Sequence, residues 1–233
     1  PCVTGDVLMA DAFYKLTRRP TLETAWRHVR RSALVSKSPV IRRAAEEFDR
    51  SAGRSILSIQ MRLLAKSFKF QAQLGIPKKR GNKRKRPLVI APIENRIVLR
   101  ALLDVLNENR EVKAILATPT SYGGIGKVSD AIRHTQKVIA CGARRYIRSD
   151  IPDFFTNIPR EPVIRFVRNA TGDPELAELF RAGLETELSN AEALGDDLDG
   201  FPVGAIGVAQ GSALSVLAGN VVLKEFDERM NGR

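Results

Sequence analysis

Asp150 and Asp153 stand three residues apart in Arg148-Ser149-Asp150-Ile151-Pro152-Asp153-Phe154-Phe155. A carboxylate closing a short apolar segment, followed by a second carboxylate and two aromatics, suits a hard cation. Mg²⁺ takes oxygen ligands and needs only one or two protein carboxylates when phosphates and waters complete its shell. Sixty residues on comes Ala209-Gln210-Gly211-Ser212-Ala213-Leu214-Ser215. A Gln-Gly-Ser turn at a helix start offers backbone N–H groups and an amide to a nucleotide. A third feature is Pro77–Arg86, where seven of ten residues are Lys or Arg and none is acidic. Counterion release drives such a run onto polyanions. Each feature taken singly is weak. A strand-end Asp is commonly structural, Gln-Gly-Ser is a common tripeptide, and a basic run is as often a solvated loop.

Other motifs fail. Gly123-Gly124-Ile125-Gly126-Lys127 lacks the phosphate-loop glycine, because Ser121 stands there, and Val128 replaces the required Ser or Thr. Gly204 and Gly207 lack the third glycine of a dinucleotide fingerprint, and neither His28 nor His134 has a second His at metal-ligand spacing. Cys2 and Cys141 lie outside any CxxC pair, which excludes a disulfide scaffold and fits a reducing cytoplasm.

The elements that must position these residues come from a chain of 233 residues, 43% hydrophobic and 27% charged. That composition is globular, and the length allows one or two domains. No apolar run approaches ~20 residues, so no membrane-spanning helix and no membrane partner are expected. The net charge of +12 is unevenly spread. Residues 1–86 carry +15 and residues 87–233 carry −3.

Periodicity predicts helices within 20–50, from Ala25, Trp26, Val29 and Ala33, with Pro39 as a break. His28 reads as a surface or packing residue. A further helix is expected over about 54–65. Phe68 and Phe70 alternate with polar residues before the basic run, Leu88-Val89-Ile90 follow it, and Gly81-Asn82 sits between. This predicts a β-hairpin that aims its cations at one phosphate group. Ile97, Val98, Ala101, Leu102, Val105 and Leu106 predict a helix after Pro92, and 118–126 reads as a loop. Helices are expected at about 129–140, after Pro159, from a cap at Asp173-Pro174 to about Ala193, and from Ser212 to about Arg229. Tyr146–Ile151 and Phe201–Val208 read as strands. The fold class is therefore α+β.

Taken together and in order, four blocks over about residues 75–227 resemble the bacterial reverse transcriptases of the group II intron, retron and phage-defence type. Lys85-Arg86-Pro87-Leu88-Val89-Ile90-Ala91-Pro92 with Glu94-Asn95-Arg96-Ile97-Val98 is similar to the fingers hairpin and its helix. Thr120-Ser121-Tyr122-Gly123-Gly124 is similar to the family's SYG loop. Tyr146–Ile158 is similar to the first catalytic-aspartate motif. Gln210–Ser215 with Leu217, Asn220, Leu223 and Asp227 is similar to the QGS-x-LS block.

The resemblance implies right-hand polymerase fingers and a palm, with an antiparallel palm sheet packed on helices and no thumb. It divides the chain into a helical extension and start of the fingers (1–75), fingers (76–142) and a palm (143–233). It implies an RNA template, a DNA primer or duplex, and deoxynucleoside triphosphates (dNTPs). Asp150 would bind two Mg²⁺ ions, or Mn²⁺ in their place, with the Ile151 carbonyl assisting, to join dNTPs to a primer 3′ end. Lys79 and Arg86 would clamp the triphosphate. Asp153 would support it, Phe155 would lie under the sugar and select against a 2′ hydroxyl, and Gln210 and Gly211 would contact sugar and base. Lys78, Arg80, Lys83, Arg84, Lys85, Arg96 and Tyr122 would contact nucleic acid.

One departure qualifies the resemblance. The family's aromatic-x-Asp-Asp block is missing, and Asp196-Asp197 precedes Gln210 in a polar turn. The chain is therefore expected to be a fragment or a split enzyme, completed by a missing part or a protein partner and inactive by itself. Two other readings stay open: a non-catalytic nucleic-acid-binding or assembly module on a polymerase fold, and template-independent or protein-primed synthesis in phage defence.

Overall fold

The computed structural model describes residues 11–81, 83–116, 128–147 and 149–230. The first four helices are α1 (Asp11–Thr17), α2 (Arg19–Leu34), α3 (Pro39–Arg50) and α4 (Ala52–Leu64). Strands β1 (Leu74–Arg80) and β2 (Lys83–Ile90) follow, then α5 (Ile93–Glu108), α6 (Arg110–Leu116) and α7 (Val128–Ala140). The remainder holds α8 (Arg160–Thr171), α9 (Pro174–Leu184), the short α10 (Ala191–Leu194) and α11 (Ser215–Met230), with 3₁₀ turns at Phe154–Asn157 and Gly195–Gly200.

Helix α5 is central because it carries a wide apolar face that is wholly buried. Ile97, Val98, Ala101, Leu102 and Leu106 have no exposed surface, and Ile93, Leu99 and Val105 are buried with them. So wide an apolar face must be covered, and α1, α2, α3, α6 and α9 pack on the helix. Each fully buried Leu or Ile contributes about 1.5–3 kcal/mol. Trp26 of α2 meets Phe48 of α3 with ring centroids 4.6 Å apart. Helix α7 is amphipathic and buries none of its residues.

The hairpin is clasped on both edges. Its register pairs Gly75 with Val89 and Lys78 with Arg86, with an irregularity between Lys78 and Arg80. Outside β1, the Gln73 N–H donates to the Glu187 carbonyl (2.8 Å) and the Ser189 N–H donates to the Gln73 carbonyl (2.8 Å). The Asn190 amide closes both backbone groups of Gly75, at 2.9 Å each. Outside β2, the Val89 N–H donates to the Gln210 carbonyl at 2.9 Å. An isolated two-stranded hairpin is marginal in water, and these edges supply what it lacks. A small core of Val89, Leu188, Leu194, Phe201 and Ala209 lies under it. Gly75 lies close over it: a Cβ there would sit 2.9 Å from the Leu194 side chain and 3.1 Å from that of Phe201, so both would have to shift.

The expected helices form, and the class is helical α+β. Several expectations are corrected. Pro39 begins α3 rather than only ending its predecessor, since its missing N–H costs nothing at a first helical position. Phe68 and Phe70 precede β1 and pack edge to face at 5.2 Å instead of lying in a strand. Helix α9 stops at Leu184, because 185–190 is drawn out to pair with Gln73 and Gly75. Where a strand is expected at 146–151, the described residues 146, 147 and 149–151 are irregular chain, with Tyr146 and Ile147 90% and 97% exposed. Among the described residues no neighbouring strand completes a ladder for it, and unpaired strand backbone gains nothing over water. Phe201–Val208 is likewise not a strand. Accordingly no palm sheet forms among the described residues, whose one sheet is the β1–β2 hairpin. The 118–126 loop and Tyr122 lie outside the described residues.

Asp173 shows how a local signal acquires a tertiary role. One carboxylate oxygen caps α9 by accepting from the Leu176 N–H (2.9 Å), and the other accepts from the Phe13 N–H of α1 (2.7 Å). Replacing Asp173 by Ala removes a cap and leaves buried donors unmet, an expected loss of about 2–4 kcal/mol in urea unfolding. Asp173→Asn keeps a capping oxygen and should lose less than half as much.

Candidate nucleic-acid and nucleotide site

Three blocks far apart in sequence meet at one place. Arg86 of β2 donates from Nε to Gln210 Oε1 at 2.6 Å, across 124 positions. The adjacent backbone is joined by the Val89–Gln210 bond and a parallel bridge between Leu88 and Gln210. The chain just before Gln210 is tied to the third block. The Val208 N–H donates to the Phe155 carbonyl (2.7 Å) and the Gly207 N–H donates to the Ile158 carbonyl (2.8 Å). Phe155, Gln210, Gly211 and Arg86 thus follow one another along a continuous backbone seam.

Two glycines permit the approach. Gly211 has φ +118°, and a Cβ there would lie 2.8 Å from the Val89 carbonyl oxygen. Gly207 has φ +83°, and its Cβ would lie 2.5 Å from the Thr156 carbonyl oxygen. Ser215 is buried and donates to the Ala209 carbonyl at 2.6 Å, which holds the turn against the start of α11.

The basic residues divide by environment. Lys78, Lys79, Lys85 and Arg86 are exposed on the strands. Lys78 faces Arg86 across the hairpin, and like charges directly opposite repel. Lys85 Nζ is paired with Asp197 at 2.6 Å, a contact no local pattern reveals. Arg80, Lys83 and Arg84 lie in the same strands. Arg96 lies apart from this group, in a cavity of about 250 Å³ that reaches the other side of Gly211.

The aspartate block is less assembled. Asp150 and Ile151 are exposed on irregular chain. Asp153 is exposed with φ 48°, a left-handed conformation that Asp tolerates better than most residues. Its carbonyl accepts from the Thr156 N–H at 3.1 Å, Thr156 Oγ1 at 2.9 Å and Asn157 Nδ2 at 3.0 Å. Phe154 packs against Gly219 of α11, and Phe155, half-buried, joins the main core. Among the described residues no three His, Cys, Asp or Glu side chains converge.

Sequence reading passed over Arg160. It is 8% exposed and donates to the carbonyls of Gly207 (2.5 Å), Pro202 (2.8 Å) and Ile206 (3.3 Å). Burial draws its guanidinium below its usual basicity, and nearby Glu185 partly opposes this. One buried cation thereby replaces the strand partner that 201–208 lacks, and it shapes the approach to Gln210. Only its position after Pro159 is legible beforehand. Gly207→Ala should lower stability by more than about 2 kcal/mol. Gly204→Ala, where a Cβ meets nothing within 4 Å, should change it by less than about 0.5 kcal/mol. Thermal melts of the two variants check this contrast.

No protein-family profile matches the sequence, and no curated protein does. Solved structures do. A chain of a partial Cas6-RT-Cas1–Cas2 complex aligns with TM-score 0.55 and 19% identity, over 93% of this chain and 34% of that one. A chain of a Cas6-RT-Cas1–Cas2 complex aligns with TM-score 0.55 and 19% identity, over 93% of this chain and 22% of that one. The chain therefore spans about a third or less of the chains it matches. At such identity the likeness is one of fold: this helical α+β chain is built like part of a Cas6-RT-Cas1–Cas2 complex.

Proposed function

We propose that the chain is the fingers and part of the palm of an RNA-directed DNA polymerase. Arg86, Lys79, Gln210 and Gly211 would form its clamp for a deoxynucleoside triphosphate. The observation that supports this most is the Arg86–Gln210 hydrogen bond, which joins two blocks recognised separately in the sequence. The fold likeness to part of a complex named for an RT component supports the same reading.

The physics of the clamp is electrostatic. Gln210 holds the Arg86 guanidinium by one nitrogen, leaving its other donors for phosphate oxygens. The opposed Lys78 and Arg86 repel until an anion lies between them. Lys85, already neutralised by Asp197, contributes less than its position in the run implies. Phe155 would meet the sugar, and Lys78, Arg80, Lys83 and Arg84 the template and primer backbone. Mg²⁺, when bound, would supply charge neutralisation of the phosphates, with the Asp150 carboxylate and Ile151 carbonyl as its ligands here. Catalysis itself belongs to the complete polymerase, with the carboxylates that this sequence does not contain. A protein partner, as in the named complexes, fits that arrangement.

A second reading, a nucleic-acid-binding or assembly module, is favoured by the exposed and unclustered position of Asp150. Equilibrium binding of a fluorescent dNTP separates the two. Arg86→Ala should weaken binding roughly ten- to a hundredfold, as loss of a charge-assisted contact does. Gln210→Ala should weaken it severalfold by releasing Arg86. The 233-residue chain should extend no primer on an RNA template. Unchanged dNTP affinity in Arg86→Ala, or extension by this chain, overturns the proposal. RNA binding without dNTP binding establishes the module reading instead.

A further inference from the structure

From Ala182 to Leu223 the chain holds six Asp or Glu and no Lys or Arg, in a protein of net charge +12. Glu185 and Glu187 open this acidic stretch and take no part in the nucleotide clamp. They lie where the chain runs extended after α9, with Glu185 at φ −69° and ψ 145°. From there burial alternates. Glu185 and Glu187 are exposed, whereas Thr186 and Leu188 are only 7% and 8% exposed. That is the period of a strand with one face on a core, and Leu188 joins the small core under the hairpin.

One edge of this strand is taken. The Glu187 carbonyl and the Ser189 N–H both bond to Gln73, in a parallel bridge centred on Leu188. Such a pairing turns the N–H and C=O groups of Thr186 and Leu188 to the opposite edge. Among the described residues no backbone hydrogen bond reaches them. Backbone groups of buried residues are nearly always paired, and an unpaired strand edge is a template for another strand. The Thr186 hydroxyl adds to this, because it is buried without a hydrogen-bond partner.

Residues 185 to 188 all line one open cavity of about 580 Å³, to which Leu198 and Val203 give apolar surface. The charged residues that line it are Glu185, Glu187 and Arg160, a net negative set. The cations near Glu185 are committed elsewhere: Arg160 to three carbonyls, Arg181 to Glu161 and Glu178. Glu187 forms no ion pair among the described residues. A nucleic-acid backbone is repelled by such a surface, and a cationic chain is drawn to it.

We propose that the unpaired edge of residues 185–188 accepts an extended segment of a partner protein in which Lys or Arg alternates with apolar residues. The segment's backbone would pair with Thr186 and Leu188. Its cations would face Glu187 and Glu185, and its apolar side chains would lie with Leu198 and Val203. Main-chain bonds supply the affinity of such an added strand, and the alternation supplies specificity. The surface is separate from the nucleotide clamp and does not depend on the polymerase reading.

Fluorescence anisotropy with the labelled peptide Lys-Val-Lys-Val-Lys-Val tests this on the full chain. It should bind about tenfold or more tightly than Lys-Lys-Lys-Val-Val-Val, which has the same charge and composition. N-methylation of alternate residues blocks one edge of the peptide and leaves the other. Methylation along one edge should abolish binding, and along the other spare it. Glu187→Gln should weaken the alternating peptide about five- to tenfold, and Glu185→Gln less, because Arg160 lies near it. Both side chains are exposed, so the melting temperature and dNTP binding should be unchanged. Thr186→Val, of similar shape, should weaken the peptide severalfold without lowering the melting temperature. Equal affinity for the two peptide orders, unchanged affinity in Glu187→Gln, or tolerance of methylation along both edges overturns the proposal. Self-association of the chain that Glu187→Gln abolishes and the peptide displaces also overturns it, because the edge then serves a second copy.

Discussion

The hairpin depends on being held from both sides, and the rest of the candidate site depends on the hairpin. Two strands cannot stabilise themselves in water. The asparagine pair on Gly75 and the Gln73 bonds hold one edge, and the Val89–Gln210 bond holds the other. Both clamps come from chain more than a hundred residues downstream. That arrangement turns a basic tract, which would otherwise be a flexible polycation, into a surface with defined positions. It also makes Gln210 part of the sheet edge, so its side chain arrives beside Arg86 without a long search.

Charge in this molecule is organised by what is left unpaired. Surface pairs such as Arg168–Glu178 and Lys15–Glu108 are worth little individually. The informative cations are those without a carboxylate partner among the described residues: Arg86, opposed by Lys78, and Arg96, half-buried beside the Ser32 hydroxyl. Each incurs an electrostatic cost that a phosphate removes. Arg160 is the contrast, since three carbonyls satisfy it and it acts on structure alone.

Much of the helical skeleton was legible. Apolar spacing places α2, α4, α5, α7, α8 and α11 close to where they lie, and Asp173-Pro174 marks the start of α9. These succeed because a buried helix face must repeat with the helical period. The strand readings at 146–151 and 201–208 failed because a short apolar run does not state whether a partner strand exists. In one case the chain stays irregular, and in the other Arg160 takes over the carbonyls. For the site, residue types were legible and adjacency was not. Arg86, Gln210, Gly211 and Phe155 were singled out on separate grounds, while Arg160, Gly207 and Asp197 gave no local signal of their positions.

Composition and periodicity alone determined the helical class, the basic leading third, the hairpin turn and the glycine-bearing Gln210 block. These follow from local rules: helical repeat, turn chemistry and charge count. Only the tertiary structure decided which cations are neutralised and which stay free, where α9 ends, and that 155, 210 and 86 lie on one seam. Such outcomes depend on backbone groups finding partners, and on charges finding or missing counter-charges, across separations of a hundred residues or more. Local sequence carries no record of those encounters.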